Sequence, residues 1–249
     1  MLQTTKMADL KPFLQKLRHG CGLGGEDEAM LMRTLGQAVR RVAAHQDLLR
    51  IGEKADSLKL VLEGFACRYK ILPDGRRQIM AYLLPGDICD LHVTILGAMD
   101  HNIGTLTNCM VLDVDNAQIE QLMRANHSIA RAFWWGTLVD EATLREWLVN
   151  IGQRTAIERL AHLFCELLVR LRVVGLTNGD GYDMPLTQQE LGDTLGLSTV
   201  HVNRVLQELR ASGVIELRNK HLTIHDLPAL ATLGQFNPLY LHVRNQAPS

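Results

Sequence analysis

Cysteine is scarce in this 249-residue chain and poorly arranged for a covalent or metal framework. The five thiols, Cys21, Cys67, Cys89, Cys109 and Cys165, are odd in number and include no Cys-x-x-Cys pair. That fits neither a disulfide scaffold nor a zinc ribbon, and leaves buried reduced thiols as the expectation. Long apolar runs are lacking too. No stretch reaches the roughly 18 apolar residues of a membrane span, and the first turns of sequence mix Lys6, Asp9, Lys11 and Arg18 with short apolar pieces, unlike a signal peptide. A cytoplasmic protein with no membrane partner is expected. Neither sign of charge is in excess: 26 Lys and Arg face 27 Asp and Glu, a net charge of -1. A near-neutral total excludes little, because recognition of a charged polymer needs only a local basic face. What is present, 47% hydrophobic and 21% charged residues, is an ordinary globular composition, long enough for two modest domains.

From about Gly36 to Val114 the chain breaks into short runs rich in Val, Ile and Leu, punctuated by Gly52, Gly64, Pro73-Asp74-Gly75, Pro85-Gly86 and Gly104. This is the pattern of an all-β unit. Leu60–Leu72 and Arg76–Leu84 read as two strands of a hairpin joined through Pro73-Asp74-Gly75. From Asn116 to about Arg172 the period becomes helical, with Gly136 and Asn150-Ile151-Gly152 as the expected interruptions. A helix from about His127 to Val149 carries Ile129, Phe133, Trp134, Trp135, Leu138, Val139, Leu144, Trp147 and Leu148. That is more apolar surface than one stripe against its own domain needs, so pairing with a twin is expected. A second helix is expected over Arg154–Arg172, followed by a loop at Gly175–Gly181.

The densest signal is Leu186–Leu209. Thr187 and Glu190 form a capping box, Gly196 ends a first short helix, and Ser198 caps a second. Two short helices across a tight turn make a helix-turn-helix, whose expected partner is double-stranded DNA. Val202, Val205, Leu206 and Leu209 face inward at helical spacing, leaving Thr199, Val200, His201, Asn203 and Arg204 as candidate base-reading residues. Arg204 is the chief candidate, since a guanidinium bonds O6 and N7 of guanine together. Gly213–Ile224 reads as two strands around a basic turn, a wing. Arg218, Lys220 and His221 there, with Thr187, Gln188, Gln189 and Ser198, are candidate phosphate contacts, which set register and salt dependence without reading sequence.

The order of parts resembles the family of the cyclic-AMP receptor protein and the fumarate and nitrate reduction regulator, over Leu35–Leu227 and most strongly over Gly64–Asp87 and Leu186–Ile224. The resemblance implies an α+β chain: an N-terminal β-roll sensor (1–126), a dimerisation helix (127–152) and a C-terminal winged helix-turn-helix domain (153–249). It also implies a homodimer on an inverted-repeat operator, promoter regulation, and RNA polymerase as a partner through the 175–181 loop. The chain departs from the family at three places. Family members that bind cyclic nucleotide carry a Glu and an Arg-Ser pair after the Gly-Asp that looks like Gly86-Asp87. Counting forward, Leu91 and His101-Asn102 stand there, flanked by Asp90 and Asp100, so cyclic AMP is not the expected ligand. Cys21 alone precedes Cys67, too few thiolates for an iron-sulfur cluster. Asp90, Leu91, His92, Asp100, His101 and Asn102 remain as sensor-pocket candidates or as a polar turn shaping the roll. Haem held by Cys89 and His92, or a metal centre including Cys109, is the alternative for the signal. A Cys89–His92 nucleophile pair is the remote enzymic reading, and no oxyanion-hole or nucleophile motif accompanies it, so no enzyme activity is expected. At the DNA end, relatives commonly place Arg-Glu where Thr199-Val200 stands, so a different half-site is expected.

Overall fold

A computed structural model describes residues 9–35, 39–91 and 93–243. The chain divides into two compact units, one from the residues up to Arg68 with Tyr82–Asp140, the other from Tyr69–Ala81 with Glu141–His242.

The first unit opens with two helices that the sequence reading did not anticipate. In α1 (Lys11–Cys21) Pro12 occupies the first turn, where its missing N–H costs nothing, and Gly22 closes the helix at φ 71°. Phe13, Leu14 and Leu17 form its buried face. α2 (Gly25–Thr34) follows, tied back by Glu28, whose carboxylate accepts from Arg18 Nε at 2.9 Å and Nη2 at 2.6 Å.

Eight strands then build two facing sheets: β1 (Val39–Val42), β2 (Asp47–Leu49), β3 (Ser57–Glu63), β4 (Ala66–Ile71), β5 (Arg77–Leu83), β6 (Ile88–Cys89), β7 (Asn102–Thr105) and β8 (Cys109–Asp115), with a one-turn helix α3 (Val93–Leu96) before β7. One sheet has the order β1-β8-β3-β6 and the other β2-β7-β4-β5. β8 is the centre of the first, pairing antiparallel with β1 from Val39↔Leu112 and with β3 from Ser57↔Asp115. Two-residue alternation sorts the side chains. Val61, Cys109 and Val111 point between the sheets to meet Leu49, Ala66, Leu83 and Ile103. Leu58, Leu60, Leu62, Leu112 and Val114 point out under a cover of helices. That cover is α1, α2, α4 (Asn116–Ala125) and the start of α5 (His127–Gln153), contributing Phe13, Leu31, Ile119, Leu122, Ile129 and Phe133.

Leu60–Leu72 is not one strand, as the sequence reading had it, but two, β3 and β4, broken at Gly64. Gly64 has φ 85°, and a Cβ there would lie 2.4 Å from the Asn108 carbonyl oxygen, so the chain turns where only glycine fits. The expected break at Asn150-Ile151-Gly152 is also absent: α5 runs unbroken to Gln153. A Cβ added at Gly136 or Gly152 would meet nothing within 4 Å, so each glycine costs the helix about 1 kcal/mol of propensity and no more.

In the second unit α6 (Ala156–Val173) starts at a capping box between Thr155 and Glu158 and buries Leu160, Phe164, Leu167, Leu168 and Leu171. Around it lie α7 (Gln188–Leu195), α8 (Thr199–Ala211), α9 (Leu227–Leu233), a 3-10 turn (Pro238–Leu241), and a three-stranded sheet of order β10-β11-β9, from β9 (Gly181–Asp183), β10 (Ile215–Arg218) and β11 (His221–Ile224). Glu166 of α6 is fully buried and accepts from Trp147 Nε1 at 2.9 Å and from the Tyr240 hydroxyl at 2.8 Å. The β4–β5 turn region belongs to this unit, where Arg77 Nε donates to Asp193 at 2.7 Å.

Candidate nucleic-acid interface and sensor cluster

The helix-turn-helix forms as its capping signals require. Thr187 Oγ1 accepts from Glu190 N at 3.1 Å while Glu190 returns an oxygen to Thr187 N at 2.7 Å, fixing the entry to α7. Gly196 leaves α7 at φ 66°, and Ser198 caps α8 by accepting from His201 N at 3.3 Å. Gly192 permits the close approach of the two helices, since a Cβ there would lie 2.5 Å from the Leu197 carbonyl oxygen. Val202, Val205, Leu206 and Leu209 are buried. This burial turns the other face outward: Val200 and Arg204 are exposed and Thr199, His201 and Asn203 half-exposed. Asn203 donates to Gln188 at 3.3 Å, and Arg204 Nη2 lies 2.8 Å from His201 Nε2. The outward face of α8 is therefore a hydrogen-bonded array anchored to α7.

Thr187, Gln188, Gln189 and Ser198 are exposed beside this array, at the N-terminal ends of α7 and α8. Gln189 donates to Asp193 at 2.7 Å. The wing is β10 and β11 joined by Asn219-Lys220, both at positive φ (50° and 60°), the torsions a two-residue hairpin turn demands. Arg218 and Lys220 are exposed, whereas His221 is engaged by Asp183 of the neighbouring strand at 2.8 Å.

The sensor-pocket candidates separate into those the fold unites and those it does not. Asp90, held at φ 54° after β6 and almost wholly buried, meets His101 at 3.2 Å, and the other ring nitrogen of His101 lies 2.5 Å from Asp100. Leu91 packs instead against the helix-covered core, and Asn102 accepts from Ile51 N at 3.0 Å, tying the turn that follows β2 to the start of β7. His92 lies outside the described residues. Sequence reasoning missed the centre of the cluster, Arg68 in the middle of β4. Its Nε donates to Asp90 at 2.9 Å and its Nη2 to Asp140 of α5 at 3.0 Å. No local motif marks a residue whose partners lie 22 and 72 positions away.

The electrostatics follow from this packing. Burial opposes the Arg68 charge, but Asp90 and Asp140 outweigh it and raise its pKa further. Burial likewise pulls His101 down, but hydrogen bonding and attraction to Asp90, with Asp100 adding, lift it above the ordinary 6.5. Cys89 is buried, and desolvation, with the Asp90 charge adding, pushes its thiol well up, the opposite of a poised thiolate. Among the described residues no three His, Cys, Asp or Glu side chains group as a metal site, and no helix is long and apolar enough to cross a membrane. The Gly86-Asp87 pair is a packing device: a Cβ on Gly86 would lie 2.9 Å from the Pro12 backbone, and Asp87 pairs with Lys16 at 2.6 Å.

Comparison with known proteins matches both halves. Residues 39–126 match the cyclic nucleotide-binding domain and residues 158–233 the Crp-like helix-turn-helix domain. The nitrogen fixation regulation protein FixK of Bradyrhizobium diazoefficiens is 30% identical over 176 residues, 67% of this chain and 69% of that protein. The transcriptional activator protein FnrL of Cereibacter sphaeroides is 29% identical over 195 residues, 77% of this chain and 78% of that protein. In fold, the chain is similar to the structure of FixK2 from Bradyrhizobium japonicum, with a TM-score of 0.72 at 24% identity, covering 79% of this chain and 96% of that one. A strand-built domain of the cyclic nucleotide-binding kind, one long helix and a Crp-like helix-turn-helix in this order, with a 30% identical regulator spanning two-thirds of the chain, place it in a family: the chain belongs to the transcription regulators related to the cyclic-AMP receptor protein and the fumarate and nitrate reduction regulator.

Proposed function

We propose that the protein works as a homodimer that activates transcription from an inverted-repeat operator, reading bases with Thr199, Val200, His201, Asn203 and Arg204 and gripping phosphate with Thr187, Gln188, Gln189, Ser198, Arg218 and Lys220. The observation that carries this reading is the outward array on α8, a guanidinium and an amide held by His201 and Gln188 on a helix whose other face is buried. Two-fold symmetry is supported by α5, along which Trp134, Leu138, Leu144 and Leu148 stay exposed, Leu148 at 74%. Such a stripe on a 27-residue helix is what a second copy would cover. Recognition helices about 34 Å apart would then enter successive major grooves. Activation is inferred from the named activity of FnrL, and RNA polymerase would be the partner near the 175–181 loop.

On the same reading the signal is something other than cyclic AMP. A cyclic phosphate needs an uncommitted guanidinium, and Arg68 is committed to Asp90 and Asp140. Haem at Cys89 and His92 stays the alternative signal, and burial of the Cys89 thiol, which raises its pKa, weighs against it. The test is fluorescence anisotropy with operator selected by the full-length protein from randomised duplexes. Arg204→Ala should lose at least about fivefold in affinity for the selected site, at about 1 to 3 kcal/mol per bidentate guanine contact, while keeping weak, salt-sensitive binding to random DNA. Equal affinity of the two proteins for the selected site overturns the reading. Purified, operator-competent protein should show no Soret band and no gain in affinity on adding cyclic AMP; a Soret band would make haem the signal, and a gain in affinity would make cyclic AMP the signal.

A further inference from the structure

Val200 is 79% exposed, the most exposed of the large apolar side chains among the described residues, and it stands in the first turn of α8. A lone exposed valine is ordinary on a protein surface. This one is placed unusually. A β-branched side chain lowers helix propensity relative to alanine, and here no packing repays that loss, because the buried face of α8 is made by Val202, Val205, Leu206 and Leu209. Its neighbours on the outward face are polar: His201, Asn203 and Arg204, the last two held by Gln188 and His201. The valine is thus an apolar spot of methyl size within a hydrogen-bonding array.

Val200 and Arg204 are four residues apart, so they lie one above the other on the same face, and the arginine stem leans toward the helix N-terminus and the valine. Arg204 Nη2 donates to His201 Nε2, so one end of the guanidinium is engaged and its remaining N–H groups are left for a base edge. The rise between the two positions, about 6 Å, corresponds to about two base-pair steps. In the major groove the one apolar group on a base edge is the 5-methyl of thymine. Taking α8 as the base-reading helix, as argued above, we propose that Val200 is a specificity-determining residue that packs on the 5-methyl of a thymine one or two base pairs from the guanine read by Arg204. Where relatives carry a glutamate at this position, its carboxylate can accept from cytosine N4; valine has no acceptor and selects the methyl instead.

Deoxyuridine differs from thymidine by that methyl alone, which makes a direct test. The full-length protein selects its operator from randomised duplexes, and the thymine nearest the conserved guanine is replaced by deoxyuridine in both half-sites, one at a time. Wild type should bind about fourfold more weakly per substituted half-site, the fold-change of one buried methyl group at about 0.8 kcal/mol. Val200→Ala should bind the two duplexes within twofold of each other. Val200→Glu, put through the same selection, should enrich cytosine where wild type enriches thymine. If wild type binds the deoxyuridine duplex as tightly as the thymine one, or if Val200→Ala still discriminates between them, the assignment of Val200 is overturned while the reading of α8 stands. If wild type enriches no inverted repeat at all, the reading of α8 falls and takes this inference with it.

Discussion

Replacing Arg68 by methionine should be among the most damaging single changes in the first unit. The substitution keeps an apolar stem and removes only the guanidinium, so its effect reports the charge rather than the packing. Two arms must be weighed separately. Asp90 has only 2% of its surface exposed, and a carboxylate buried to that degree and stripped of its guanidinium costs about 3–5 kcal/mol. The Asp140 side chain is about a third exposed, so its arm belongs with surface pairs worth about 0–1 kcal/mol. Arg68→Met should therefore cost about 3–5 kcal/mol and Asp140→Ala about 1 kcal/mol or less. Adding Asp90→Asn to Arg68→Met should restore about 1–3 kcal/mol, because the neutral amide no longer has to be ionised in a buried site. The assay is urea unfolding followed by the fluorescence of Trp134 and Trp135, which lie in the first unit, in chains carrying Trp147→Phe so that the second unit is silent. A cost below about 1 kcal/mol for Arg68→Met, or no recovery from Asp90→Asn, would refute the claim that the cluster is organised around this guanidinium.

Other perturbations follow from the same geometry. His101 has a folded pKa above 6.5, so its contribution to stability is complete below about pH 6.5 and fades as pH rises through the folded value. The stability difference between wild type and His101→Gln should shrink between about pH 6 and 9 in urea titrations, and parallel profiles would contradict it. His162 behaves oppositely: burial, with the Arg154 charge adding, depresses its pKa, so its neutral form favours folding above about pH 6.5 and its contribution is lost as pH falls. Glu166→Leu removes the acceptor for both Trp147 and Tyr240 and should cost about 3–5 kcal/mol in the second unit, read from Trp147 fluorescence. Leu144→Glu with Leu148→Glu should convert a dimer into a monomer in sedimentation velocity and weaken operator binding at least about tenfold; a persisting dimer would move the interface off α5.

The DNA end of this chain was legible because everything that builds it is local. Thr187 and Glu190 are three residues apart, Gly196 and Ser198 two, and the buried set Val202, Val205, Leu206 and Leu209 repeats at helical spacing. The outward residues are then fixed by subtraction. The roll was legible as a class, through its turns and apolar runs, but not strand by strand. Leu60–Leu72 contains a turn at Gly64 that is demanded by the Asn108 backbone of a distant loop, which no local pattern announces. α1 and α2 escaped notice because α1 owes its apolar face to only three large side chains and α2 buries only Leu31 in full. Asn150 looked like a helix breaker and serves instead as a link, donating to the Arg159 carbonyl oxygen at 3.3 Å.

The cluster around Arg68 shows why a signal is harder to read from sequence than the helix-turn-helix face. Asp90 and His101 stand out in the sequence as polar residues near a Gly-Asp turn, yet nothing there says whether they bind a ligand or a neighbour. The answer depends on Arg68, which reaches Asp90 across the roll and Asp140 on α5 with the same guanidinium. A phosphate entering this site would have to displace a buried carboxylate from that guanidinium and leave the carboxylate charged beside it, a cost of several kcal/mol that an exposed arginine would not impose. The two carboxylates thus balance the guanidinium, which joins β4 to the long helix through Asp140. Removing Asp90 would leave the guanidinium with Asp140 alone, a carboxylate about a third exposed, so the affinity of this site for an anion is expected to turn on Asp90, a side chain far in sequence from α8.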